Sequence, residues 1–106
     1  MQVKLSIGER YVAINQLSGN VGKTEARKIR QVRNELHLDE LPENSPSSVL
    51  KDEADYEVGS VAAQWIKDKL SSAWDKNAIP AVASHFALSL EEKMLTVLDP
   101  KAEGQS

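Results

Sequence analysis

Residues 2–17 read QVKLSIGERYVAINQL, and within that stretch the apolar period changes. Val3, Leu5 and Ile7 alternate with polar neighbours, the pattern of a strand with one buried face. Ser6 precedes Glu9 by three, the spacing at which hydroxyl and carboxylate each satisfy a backbone amide at a helix start. The spacing therefore predicts a strand over 2–7 that feeds a helix over 7–17, stopped by Ser18-Gly19-Asn20. A strand followed directly by a helix points to an α+β fold.

The helical period resumes downstream. From 24 to 37, Ala26, Ile29, Val32 and Leu36 recur on one face, and a third helix is expected over 60–74. Asn77 and Pro80 suit the start of a fourth helix running to Leu98, since proline is tolerated in a first turn. Ser89-Leu90-Glu91-Glu92 offers an alternative restart inside it. Asp55-Tyr56-Glu57-Val58 supplies a second strand to pair with 2–7. The expected architecture is mainly α, with about four helices and one short two-stranded sheet. Residues 39–54 combine acids, prolines and serines, and are read as a mobile loop whose deletion over 43–50 leaves the thermal midpoint nearly unchanged. The tail, 100–106, is expected to be disordered.

The chain has 106 residues, 41% of them hydrophobic and 27% charged, and no cysteine. One domain with one core is the expectation. Disulfides, thiolate metal sites and cysteine nucleophiles are excluded, which suits a reducing cytoplasm. No run approaches the length of a membrane span, and Glu9 and Arg10 fall where a secretory segment would be apolar, so neither a span nor a signal peptide is expected. The net charge of −3 is unevenly spread. Residues 1–34 carry seven basic and two acidic groups, a net +5, which leaves −8 for the rest. Such asymmetry suits either a nucleic-acid footprint or the docking of one half on the other.

Little in the chain points to catalysis. His85 has no Asp, Glu or His three or four residues away, and His37 has only Glu40, whereas a zinc site needs three or four convergent ligands. Glu91 and Glu92 point to different sides of a helix, and Asp52, Glu53, Asp55 and Glu57 sit in or beside a loop with no partner to tune them. Gly22-Lys23-Thr24 has the ending of a phosphate-binding loop, but the pattern needs glycine at 17, where Leu17 stands, and a strand before it. No catalytic, cofactor or metal residue is assigned.

Two surfaces are candidates for binding. Lys23, Arg27, Arg30 and Asn34 fall within about 60° of one another on the second helix, opposite its apolar face. With the first helix before it, this segment has the outline of a helix-turn-helix, and Lys23, Arg27 and Arg30 are the candidate nucleic-acid contacts. On the third helix, Val58, Val61, Ala62, Trp65, Ile66, Leu70, Ala73 and Trp74 spread over roughly 220°, more than one core contact requires. Trp65 is assigned to the core, with Trp65→Ala costing about 3 to 5 kcal/mol. Trp74, Leu70 and Ile66 form the candidate interface with a protein partner or a second copy.

Read together, KLSIGERYVAINQL, GN, ARKIRQVRNEL, YEVGSVAAQWIKDKL and SHFALSLEEKM resemble, in that order, a group of proteins of about 100 residues from bacteriophages and prophages. Those proteins open with a strand and an S-x-x-E-R helix start, and later show an E-(I/V)-G-x-x-A helix start. The resemblance implies a phage or prophage gene product in the bacterial cytoplasm. It carries no established activity and no site residue. The expected function is non-enzymatic protein binding, in virion assembly or host interaction, with a nucleic-acid-binding regulator as the alternative.

Overall fold

The computed structural model describes residues 2–17, 20–42 and 45–99. Strand β1, Gln2–Ser6, pairs antiparallel with β2, Glu53–Glu57. Four helices complete the fold: α1, Ile7–Asn15, α2, Lys23–Glu35, α3, Ser60–Asp75, and α4, Ser84–Leu98. The architecture is α+β and mainly α, as the periodicities predict.

The register of the sheet explains its composition. Val3, paired with Tyr56, and Leu5, paired with Ala54, are buried, while Gln2, Lys4 and Ser6 stand opposite Glu57, Asp55 and Glu53. Strand β2 thus starts at Glu53, two residues before the sequence expectation and inside the segment read as loop. Its three acids occupy every second position, so all can face water while the backbone pairs. The remainder of that segment holds the 3-10 turn Ser47–Val49 and the end of another, Leu38–Glu40, whose first residue, Leu38, stands just ahead of the segment and is buried in the core. Residues 43 and 44 and the tail 100–106 lie outside the described residues.

Strand passes into helix at Ser6 with the expected cap. The Ser6 hydroxyl accepts from the Glu9 amide at 3.1 Å, and the Glu9 carboxylate accepts from the Ser6 amide at 2.9 Å. Two further first-turn amides, on Ile7 and Gly8, donate to the carbonyls of Asp52 and Leu50 at 3.0 and 2.9 Å. Helix starts leave amides without intrahelical partners, and here the chain before β2 supplies the acceptors. Gly8 also lets α4 approach closely: a Cβ there would lie 2.6 Å from the Phe86 ring.

Helix α3 packs between α2 and α4. Its Ala62, Ala63, Ile66 and Leu70 are fully buried, in one core cluster with Val32 from α2, Leu36 just after it, Ala87, Leu90 and Met94 from α4, and Leu5 from the sheet. The amide of Gly59, at its N-cap, donates to the Glu35 carboxylate at 2.6 Å, so the last residue of α2 caps the start of α3. At the other end, Asn77 has a φ of 54°, and the amides of Asn77 and Ala78 donate to the carbonyls of Trp74 and Ala73. That is a Schellman closure, in which asparagine takes the left-handed position. Asn77 therefore ends α3 instead of opening α4. A 3-10 turn, Ala81–Ala83, follows Pro80, and α4 then runs without a break at Ser89.

Candidate functional site

The S-x-x-E-R stretch is occupied with holding the fold. Glu9 is 2% exposed and binds the Lys93 ammonium at 2.7 Å, which also reaches Glu53 at 3.0 Å. One lysine on α4 thereby ties α1 to β2. Burial works to lower the pKa of Lys93, but its hydrogen bonds to Glu9 and Glu53 outweigh that and hold it above the usual 10.5. Arg10 is buried too. Its Nε donates to the Leu36 carbonyl at 2.9 Å and its Nη2 to that of His37, while the guanidinium lies 4.8 Å from the centre of the Tyr56 ring. A cation at the C-terminus of α2 meets both its unpaired carbonyls and the negative end of its dipole.

The histidines do not converge. His37, with a φ of 53° at the end of α2, pairs through Nδ1 with Glu40, and His85 packs on Phe86 with ring centres 4.0 Å apart. Among the described residues no group of three or more potential ligands is arranged around a metal. Nor is any helix among them long and apolar enough to cross a membrane.

Lys23, Arg27, Arg30 and Asn34 are all exposed along one side of α2, as the spacing predicts. Among the described residues the three cations have no ion-pair partner, whereas Arg33 pairs with Asp39 at 2.8 Å. The helix-turn-helix outline is not realised, because α2 packs on α3 and on the turn at 38–40 and has little contact with α1. On its inner side, Glu25 binds Lys69 at 2.6 Å and accepts from Trp65 Nε1 at 3.3 Å. Lys69, and after it Trp65, hold the Glu25 carboxyl below its ordinary 4.5.

The interface expected on α3 needs correction. Ile66 and Leu70 have no exposed surface, and Trp74 is half-buried against the core with its indole N–H enclosed and unpaired. The broad apolar arc of α3 is filled from inside, because α2 and α4 both pack on the helix. Trp65, as expected, is a core residue.

Exposed apolar surface lies elsewhere. Leu88 and Leu95 are 51% and 44% exposed, two turns apart on the outer face of α4. Leu98, one turn beyond Leu95, lines a shallow hollow together with Val61, itself 45% exposed at the start of α3. By helix spacing Leu88, Leu95 and Leu98 follow one another along one side of α4, and the hollow joins Leu98 to Val61, so the four outline a strip from α4 to α3. Leu88 and Leu95 each lie about 100° around α4 from the buried Ala87 and Met94, so helix spacing already sets them off the core stripe.

Two larger clefts lie elsewhere among the described residues. One of about 530 Å³ lies between Tyr11 and Val12 of α1, residues 45–51, and Val82 to Phe86. Another of about 680 Å³ lies between the end of α1, Arg33, and the α3–α4 connection at Ala78 to Pro80. Compared with known proteins, the chain matches no family model, no curated relative and no solved structure.

Proposed function

We propose that this protein is a non-enzymatic binding module of phage or prophage type that docks another protein through the strip formed by Leu88, Leu95, Leu98 and Val61. The carrying observation is that three of the large apolar side chains left exposed by the core, Val61, Leu88 and Leu95, belong to this one surface. Isolated exposed leucines are ordinary, but a contiguous apolar strip on a stable helix pair is the usual mark of an interaction site. The phage provenance rests on the sequence motifs alone.

A photo-crosslinking residue placed at position 88 during expression in a bacterial host tests the reading. A discrete adduct is expected from position 88, lost when Leu95→Lys is added, and absent when the probe sits at position 67. The same smear from both positions would reject the strip as a binding surface.

The unpaired cations of α2 favour a second reading, binding to nucleic acid. Lys23, Arg27 and Arg30 would neutralise phosphates along one backbone, with a slope of log K against log salt of about −2 to −3. Titration with duplex and single-stranded DNA tests it. Binding that disappears in Arg27→Glu, Arg30→Glu supports this reading, and no binding at low salt and micromolar protein sinks it.

A further inference from the structure

The charges around the strip decide what kind of protein it fits. Glu91 and Glu92 are three and four residues from both Leu88 and Leu95, so they flank the line joining the two leucines. Among the described residues neither forms an ion pair. Asp68 lines the hollow shared by Val61 and Leu98, where Lys28 is the one cation, and exposed Asp99 follows Leu98. The strip is apolar along its middle and acidic along its sides.

A second copy fits this surface badly. An antiparallel pair of α4 helices that packs Leu88 on Leu95 of its mate has its two-fold axis between positions 91 and 92. Glu91 of each copy would then face Glu92 of the other, and like charges at such spacing oppose association. A partner of opposite charge removes that conflict. Apolar anchors two turns apart on one helix match side chains seven apart on another laid along it.

We infer that the strip docks a basic amphipathic helix of a different protein, whose apolar side chains seat over Leu88 and Leu95 and whose lysines or arginines meet Glu91 and Glu92. This rests on the protein-binding reading of the strip. The probes are two synthetic helical peptides with leucines seven apart, one with lysines at the flanking positions and one with glutamates there. Each is titrated into the full chain, followed by amide NMR.

The basic peptide is expected to shift the amides of residues 88–98 and of Val61. Its affinity should fall about tenfold or more in roughly 0.5 M salt, where screening reaches a few ångströms, and likewise in Glu91→Lys, Glu92→Lys. The acidic peptide is expected to leave the spectrum unchanged. Equal binding of both peptides at the strip would overturn the basic partner while leaving a docking surface. No shift with the basic peptide, or shifts confined to other faces, would overturn the inference outright. Self-association of the protein alone that is lost in Leu95→Lys would give the strip to a second copy and also overturn it. The three substituted side chains, Glu91, Glu92 and Leu95, all reach the surface, and an unchanged thermal midpoint in each variant confirms that the fold is retained.

Discussion

Lys93 carries the interaction that sequence reading is least able to find, since its partner Glu9 lies 84 positions away. The Glu9 carboxylate uses one oxygen for both the Ser6 amide and Lys93, and the other is buried without a partner. Lys93→Met should therefore strand a buried charge and lower stability by roughly 3 kcal/mol, at the low end for breaking a buried pair because Lys93 is partly wet. Lys93→Met combined with Glu9→Gln should recover part of that loss in urea titrations; a double variant as unstable as the sum of the two singles would refute the coupling. The raised pKa of Lys93 also fixes a pH window. Its contribution is whole below 10.5 and is lost as pH rises through the higher folded value. Glu25 works in the opposite sense, because its lowered pKa makes its contribution whole above 4.5 and lost as pH falls through the folded value. Trp65 reports this directly through its bond to Glu25. In a Trp74→Phe background, its fluorescence should titrate with a midpoint below 4.5, and Glu25→Gln should remove that step. A midpoint above 4.5 would contradict the pairing.

At the level of elements, the helix start at Ser6 was legible because a capping box is local: both partners lie within four residues. Asn77 misleads for a reason equally local. Asparagine suits a helix N-cap and a left-handed C-terminal position alike, and only the amides of Asn77 and Ala78 turning back to Trp74 and Ala73 separate the two. The acids of β2 mislead because composition suggested loop, whereas a strand with one wet face accommodates an acid at every second position. Packing between elements is also specific at Gly8. Since a Cβ at Gly8 would lie 2.6 Å from the Phe86 ring, Gly8→Ala should cost about 1 to 3 kcal/mol, the range for overpacking. Adding Phe86→Leu should restore part of it, and an additive double variant would show that the two do not meet. The segment before β2 is also bonded into the fold. Deleting 43–50 removes the Leu50 carbonyl that accepts from the Gly8 amide, so a loss of about 1 to 3 kcal/mol is expected in place of the neutral outcome the composition suggests. Thermal unfolding of the deletion variant distinguishes the two.

Over the whole molecule, the arrangement of α3 explains why its apolar arc could not be read as an interface. Periodicity reports how much of a helix is apolar, but it does not report how many neighbours surround it, and here the core takes the excess. The polar ties run between the same elements: Lys93 joins α4 to α1 and β2, Arg10 joins α1 to the end of α2, and Glu35 joins α2 to the start of α3. No element is held by one neighbour alone, so opening any of them exposes the packing of the next. The chain should then unfold as one unit. Trp65 fluorescence, measured with Trp74→Phe, reports the α2–α3 contact, while amide exchange in β1 reports the sheet at the far side of the core. Both should give the same free energy of unfolding in denaturant, and Trp65→Ala, followed by amide exchange alone, should lower it by about 3 to 5 kcal/mol. That is a large share of the roughly 5 to 15 kcal/mol available to a domain of this class. Exchange in β1 at a markedly lower free energy than the loss of Trp65 fluorescence would show that the sheet and α1 open on their own, and that the Lys93 and Arg10 ties do not couple them to the helical core.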